Sequence, residues 1–148
     1  MPTPDWYWDE FQHAGTDYSD AEEVRRYDQR MSQFRDVDAE NREAIETLQL
    51  QSNDLLLEIG CGTGRLARSA SKCCRQVIAY DVSASMIDFA CQEATREELS
   101  NVKFLRGGFL SRPELEGLVD AVVSRIALHH LPDFWKAVAV ARVFEDLD

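Results

Sequence analysis

Hydrophobic and polar positions alternate along the chain in two patterns, and the switch between them lays out a series of strand–helix units. Leu55-Leu-Leu57 with Ile59 is a near-continuous apolar run, as a parallel strand buried on both faces requires, with one acid, Glu58, near its end. Gln76-Val-Ile-Ala-Tyr-Asp81, Asn101-Val-Lys-Phe-Leu105 and Leu118-Val-Asp-Ala-Val-Val-Ser124 repeat the short strand pattern, the third of the four reading as an edge. Between them the spacing is helical. Leu66, Ala67 and Ala70 share a face after the first strand. Met86, Ile87, Phe89 and Ala90 follow the second, with Ser83 placed to cap that helix. A further helix runs from about 132 to 144, opened by Pro132 in a turn where its missing N–H costs nothing. Strands alternating with helices predict an α/β fold with a doubly wound, mostly parallel sheet.

Ahead of the first strand the pattern is helical. Val24, Tyr27, Met31 and Phe34 fall on one face of a helix beginning near Asp20, capped by Ser19 or Asp20, with Glu22 or Glu23 completing a capping box. Tyr27 either packs in the core or reaches a ligand. A second helix over about 38–50, capped by Asp36 or Asp38, turns Ile45 and Leu48 inward and is broken by Ser52-Asn53. Trp6, Tyr7, Trp8, Phe11 and Tyr18 are more large aromatics than a free tail carries, so they are expected to pack on the domain or close over a pocket. Residues 1–53 therefore read as a helical extension or lid, too poor in apolar surface to fold alone, on a domain spanning 54–148.

Chemistry concentrates after the first strand. Gly60, Gly62 and Gly64 occupy alternate positions in Glu58-Ile-Gly-Cys-Gly-Thr-Gly64, joining strand to helix. Strand, glycine turn and helix form the opening unit of a nucleotide-binding sheet. The spacing G-x-G-x-G, with Arg65 where a dinucleotide fingerprint carries its last glycine, argues against NAD, and the Walker pattern is absent. Asp81 ends the second strand 21 residues past Gly60, the spacing at which an acid meets a ribose. A carboxylate accepts hydrogen bonds from both vicinal hydroxyls, which explains the residue type.

Composition narrows the partners. The net charge is −11, and residues 1–53 hold 13 acidic against 5 basic side chains, which disfavours nucleic acid as substrate. The apolar runs are too short to span a membrane, and the N-terminus is unlike a signal peptide, so the expected location is cytoplasmic. Cys61, Cys73, Cys74 and Cys91 form no zinc spacing and read as reduced thiols, so no metal is expected.

Three stretches carry a family resemblance. Glu58-Ile-Gly-Cys-Gly-Thr-Gly64 resembles motif I of the class I S-adenosylmethionine-dependent methyltransferases. Tyr80-Asp-Val-Ser-Ala-Ser-Met86 resembles their second motif, and 119–136, with Ala127-Leu-His-His-Leu-Pro-Asp-Phe-Trp-Lys136, resembles the region after the fourth strand in their small-molecule members. The likeness implies a Rossmann-like sheet, S-adenosylmethionine as cofactor and a small-molecule methyl acceptor. It places Glu58, Gly60, Cys61 and Gly62 at the methionyl end, Asp81 on the ribose, and Val82, Met86, Gly108 and Phe109 around the adenine. Many members carry an acid in the loop after the third strand, where this chain has Gly108-Phe109; Phe109 either faces the adenine or plugs the core. Tyr27 and Arg35 cover the carboxylate end. Arg125, His129 and His130 face the methyl group, with either histidine a candidate base.

The resemblance also shows a departure. Four strands are legible where the family has seven, and none is visible after residue 144. The outer edge of the fourth strand, Val119 to Val123, is then expected to be bare and to favour self-association, whether the chain is a fragment, a shortened fold or completed by a partner. A non-catalytic S-adenosylmethionine-binding protein, acting as sensor or partner subunit, is the alternative function; an NAD-dependent oxidoreductase is the more distant one.

Overall fold

A computed structural model of the chain describes residues 4–12 and 20–148. Ser19 and Tyr18 lie outside the described residues. Two helices come first, α1 (Ala21–Met31) and α2 (Val37–Leu48). Then β1 (Leu55–Ile59), α3 (Arg65–Ala70), β2 (Gln76–Asp81), α4 (Ala84–Arg96), β3 (Val102–Arg106) and β4 (Ala121–Val123) alternate, a 3-10 turn covers Leu128–His130, and α5 (Asp133–Asp146) follows. The sheet is parallel throughout, in the order β3-β2-β1-β4.

Burial on both faces explains the apolar strands. Successive side chains of β1 point to opposite sides. Leu56 joins Ala67, Val77, Ala79, Ile87, Ala90 and Phe104 beneath α3 and α4, with Ile45 and Leu48 of α2 packed against them. Leu57 and Ile59 join Tyr80, Phe109, Val119, Leu131, Trp135 and Ala139 beneath α5. Helices thus cover both faces, and the strand order reverses between β1 and β4. In such sheets ligands bind at the carboxyl ends of the strands beside that reversal.

The helix starts follow their side chains. Asp20 caps α1 by accepting from the Glu22 N–H at 2.8 Å, Asp36 caps α2 through the Ala39 N–H at 3.0 Å, and Ser83 caps α4 through the Met86 N–H at 3.2 Å. Among the described residues neither acid closes the expected capping box on Asp20: Glu22 pairs with Arg26 and Glu23 with Arg30. The helix ends at Met31, so Phe34 leaves the predicted face and stands 77% exposed. Trp6 stacks on Trp135 at 6.2 Å and Tyr7 lies 4.7 Å from the same ring, so this part of the aromatic segment packs against α5.

The region around β4 corrects the sequence reading. The strand is three residues long rather than seven, and Val119 is fully buried. After α5 the chain comes back beside it: the Val119 N–H donates to the Asp146 carbonyl at 2.8 Å and the Asp148 N–H to the Val119 carbonyl at 3.1 Å, a parallel bridge between Val119 and Leu147. The outer edge expected to be bare is therefore covered where it begins. Arg112, its side chain only 1% exposed, forms an ion pair with Asp146 at the same place. Arg142 donates to the carbonyls of Phe109, Leu110 and Arg112, clasping the loop after β3 to α5.

Candidate active site

The glycine turn at the end of β1 opens onto a cavity of about 890 Å³, within the range of small-molecule and cofactor sites. All three glycines have left-handed backbones, with φ of 80°, 54° and 76°, where a side chain is strained. They serve different ends. A Cβ on Gly62 would meet nothing within 4 Å and would project into open space at the turn. A Cβ on Gly64 would lie 2.7 Å from the Phe104 ring and 2.9 Å from the Ala90 Cβ. Gly64 therefore provides the close helix–sheet contact, and Arg65 points away to Asp38 at 2.6 Å.

Asp81 stands at the tip of β2, directly across the turn. Its Oδ2 accepts from the Gly62 N–H at 2.8 Å and its Oδ1 from the Ser83 N–H at 2.9 Å. A carboxylate has about four acceptor positions, so each oxygen keeps one for a ligand. Burial pushes the Asp81 carboxyl up, opposed by the two N–H donors and by His130.

Glu58 is the unusual group. It is 4% exposed, and its Oε2 has no hydrogen-bond partner among the described residues. Burial raises its carboxyl to about 8; Arg125 pulls it down, Asp81 pushes it up and the Ala67 N–H lowers it. A buried, partnerless carboxylate oxygen lining a cavity fits a cation. Cys61, beside it, lies against the Gly62 carbonyl, its thiol pushed up by burial.

The other residues singled out from the sequence line the same cavity. Val82 and Met86 stand at the start of α4, and Gly108 and Phe109 in the loop after β3. Phe109, 6% exposed, is at once part of the core beneath α5 and part of the cavity wall, so the two alternatives for it are not exclusive. Tyr27 lines the cavity from α1, with the Arg30 guanidinium 5.9 Å from its ring centroid. Arg35 also lines the cavity, but its guanidinium is held by both oxygens of Glu40, and Arg125 approaches Glu40 at 3.6 Å. Arg125 thus lies between Glu40 and the buried Glu58. His129 and His130 sit on the 3-10 turn with ring centroids 4.1 Å apart. Partial burial and the neighbouring His129 lower His130, against the pull of Asp81, so it is neutral near pH 7 and able to accept a proton.

Three contributors escaped the sequence reading. Thr63 in the glycine turn donates to Asp28 of α1 at 2.7 Å, tying that helix over the turn. Asn41 of α2 lines the cavity and is 4% exposed. Glu10, an acid among the aromatics 6–11, is 6% exposed and lies against Gly108. Only the glycine at 108, which leaves room for another side chain, hinted at the last.

Comparison with known proteins decides the family. A family model described as a methyltransferase domain matches residues 56–147. The chain belongs to the methyltransferase domain family. It is 33% identical over 96 residues to an uncharacterized methyltransferase of Oceanobacillus iheyensis, covering 65% of this chain and 43% of that one. A 23S rRNA (uracil(1939)-C(5))-methyltransferase of Legionella pneumophila is 24% identical over 107 residues, covering 72% of this chain and 24% of its own length. Among solved structures, the N-methyltransferase NodS of Bradyrhizobium japonicum in complex with S-adenosyl-L-homocysteine aligns with a TM-score of 0.61 at 25% identity, over 72% of this chain and 56% of that one. The parallel sheet covered on both faces and the glycine turn are those of the class I S-adenosylmethionine-dependent methyltransferases. This chain spans about half the length of the curated relatives it matches.

Proposed function

We propose that the chain binds S-adenosylmethionine in this cavity and serves the transfer of its methyl group to a small-molecule acceptor. The observation that carries the reading is the buried Glu58, whose Oε2 lacks a partner among the described residues, set across the glycine turn from Asp81. When bound, the cofactor supplies an electrophilic methyl group on a sulfonium. Its α-ammonium is the cation suited to Glu58, and its ribose hydroxyls are the donors suited to the remaining acceptor positions of Asp81. Gly60, Cys61 and Gly62 form the floor under the methionyl part, Gly62 leaving open space above the turn and Gly60 making room for Ala127, whose Cβ would clash with a Cβ at position 60. Val82, Met86, Gly108 and Phe109 flank the base. Tyr27 and Arg35 stand toward the carboxylate end, where the Glu40 pairing leaves Arg35 only part of its charge to offer. The tie from Thr63 to Asp28 supports reading residues 1–53 as a lid over the domain of residues 54–148.

Positioning supplies most of the rate in such transfers. Arg125 favours the charged form of the buried carboxylate, and His130, neutral near pH 7, is placed to take a proton from the acceptor, with His129 as the second candidate. A small molecule is favoured over RNA by the net charge of −11, although one of the relatives named above acts on rRNA. Pairing of a second copy along Ala121–Val123 is the proposed self-association; sedimentation showing a monomer at every concentration would exclude it.

Incubation of the 148-residue chain with methyl-labelled S-adenosylmethionine and a panel of amine, hydroxyl and carbon acids tests transfer. Labelled product supports the enzyme. Cofactor binding without transfer to any acceptor supports the alternative, a binding protein acting as sensor or subunit.

A further inference from the structure

We infer that Glu10, from the segment ahead of α1, is the residue that selects the base of the bound nucleoside, recognising an exocyclic amine. The inference rests on the cofactor reading above. A ribose held at Asp81 carries its two substituents on opposite sides. With the ammonium at Glu58, on the β1 side, the base falls on the other side, toward β3. Register pairs Asp81 with Arg106, so the first residues met there are those of the loop 107–109. Glu10 fills that loop.

The Glu10 carboxylate occupies the volume that a side chain at position 108 would take. A Cβ on Gly108 would lie 2.5 Å from Oε1 and 2.7 Å from Oε2 of Glu10. One oxygen is committed to the loop: Oε2 accepts from the Leu110 N–H at 2.9 Å, the Ser111 N–H at 2.8 Å and the Ser111 hydroxyl at 2.8 Å. Three donors fix the carboxylate's orientation and leave Oε1 as the oxygen on offer. Oε1 takes no hydrogen bond from the described residues, and Glu10 lines the cavity. An ionised carboxylate only accepts. An adenine edge presents an amine donor, whereas a 6-oxo purine presents a carbonyl acceptor at the same position. Oε1 therefore favours the first and repels the second. The loop that bears this contact is itself clasped to α5 by Arg142, which keeps the acceptor in place.

Glutamine at this position makes the test independent of a merely structural role. In Glu10→Gln the amide oxygen is drawn to the three donors around Oε2, which turns the NH₂ group, a donor, toward the base. Calorimetric titration with S-adenosylhomocysteine and its deaminated counterpart S-inosylhomocysteine reads the preference. Wild type is expected to favour the adenosyl ligand by about ten- to a hundred-fold, the range of one charge-assisted hydrogen bond. Glu10→Gln should erase or reverse that preference while still binding one of the two. A second variant, Glu10→Ala with Gly108→Asp, returns a carboxylate to the vacated space, and φ at Gly108 is outside the left-handed region; it should regain the adenosyl preference. An unchanged preference in Glu10→Gln, or a folded double variant without one, overturns the assignment of Glu10 and leaves cofactor binding standing. Wild type that binds neither ligand overturns the cofactor reading, and this inference with it.

Discussion

Replacing Glu58 with Gln removes the group on which the cofactor's ammonium is placed, and the structure sets the size of the effect. Burial holds the Glu58 carboxyl up to about 8 in the ligand-free protein. Near pH 7 roughly nine molecules in ten therefore carry it protonated. A cation settling on Oε2 must expel that proton, at a cost of about 1.4 kcal/mol near pH 7, the worth of one pKa unit. Affinity for S-adenosylhomocysteine should rise about tenfold per pH unit up to about pH 8 and flatten above, with close to one proton released per ligand near pH 6–7. Calorimetry in buffers of different ionisation enthalpy counts the protons. Glu58→Gln should bind roughly ten- to a hundred-fold more weakly near pH 8 and lose this proton release. The sign for stability follows separately. A carboxyl raised from 4.5 to about 8 favours the folded state when protonated, so its contribution is full below about 4.5 and is lost as pH rises through about 8. The shift is worth a few kcal/mol, roughly 5 at most. Ligand-free wild type should then lose more stability between about pH 5 and pH 8 than Glu58→Gln does. A wild-type affinity that is flat over pH 6–8, with no proton released, refutes the placement of the ammonium on Glu58.

Asp81→Ala should weaken binding of S-adenosylhomocysteine by about ten- to a hundred-fold, since it removes acceptors worth roughly 1.5–3 kcal/mol; unchanged affinity in calorimetry would remove the ribose from Asp81. Gly62→Val should abolish binding while far-ultraviolet circular dichroism stays near that of wild type, because the new side chain projects into the open space at the turn; normal binding by the variant would show that the turn does not approach the ligand. Asp146→Ala strands the buried Arg112 cation and should destabilise the fold by about 3–5 kcal/mol, read as a fall in denaturation midpoint; an unshifted midpoint would mean that the pair holds nothing together. Once an acceptor is found, His129→Ala and His130→Ala should be profiled across pH. Loss of the neutral-pH limb in His130→Ala alone supports the base assignment, and an unaltered limb in both removes it.

The sheet was legible because its strands are apolar on both faces and the helices between them keep a regular apolar period, with a side-chain cap at the start of α4. β2 spans Gln76–Asp81 as its pattern predicts, and the order puts β3 at an edge. β4 was overestimated because Leu118 to Ser124 is apolar for two different reasons. Ala121–Val123 pair with β1, whereas Val119 is buried by Leu147, 28 residues further along, and no local pattern reports such a contact. Phe34 was misplaced for a similar reason. The helical period continues past Met31, but the N–H groups of Gln33 and Phe34 bond only three residues back, to the Arg30 and Met31 carbonyls, and this tighter turn carries Phe34 off the helical face. Within the site, spacing alone pointed to Gly60, Gly62 and Asp81, whereas Glu58, Cys61, Val82, Met86, Gly108, Phe109, Tyr27, Arg35, Arg125, His129 and His130 came from the family resemblance. Glu10, Asp28 and Asn41 came from neither, because each reaches the cavity from a distant part of the chain through a single side chain.

The most direct measurement is a calorimetric titration of the 148-residue chain with S-adenosylmethionine, S-adenosylhomocysteine and NAD⁺ under one set of conditions. Saturable one-to-one binding of the two sulfur-containing nucleosides, lost in Asp81→Ala, with no heat from NAD⁺, is the expected result. Binding of NAD⁺ in their place, or of none of the three, would contradict the central claim.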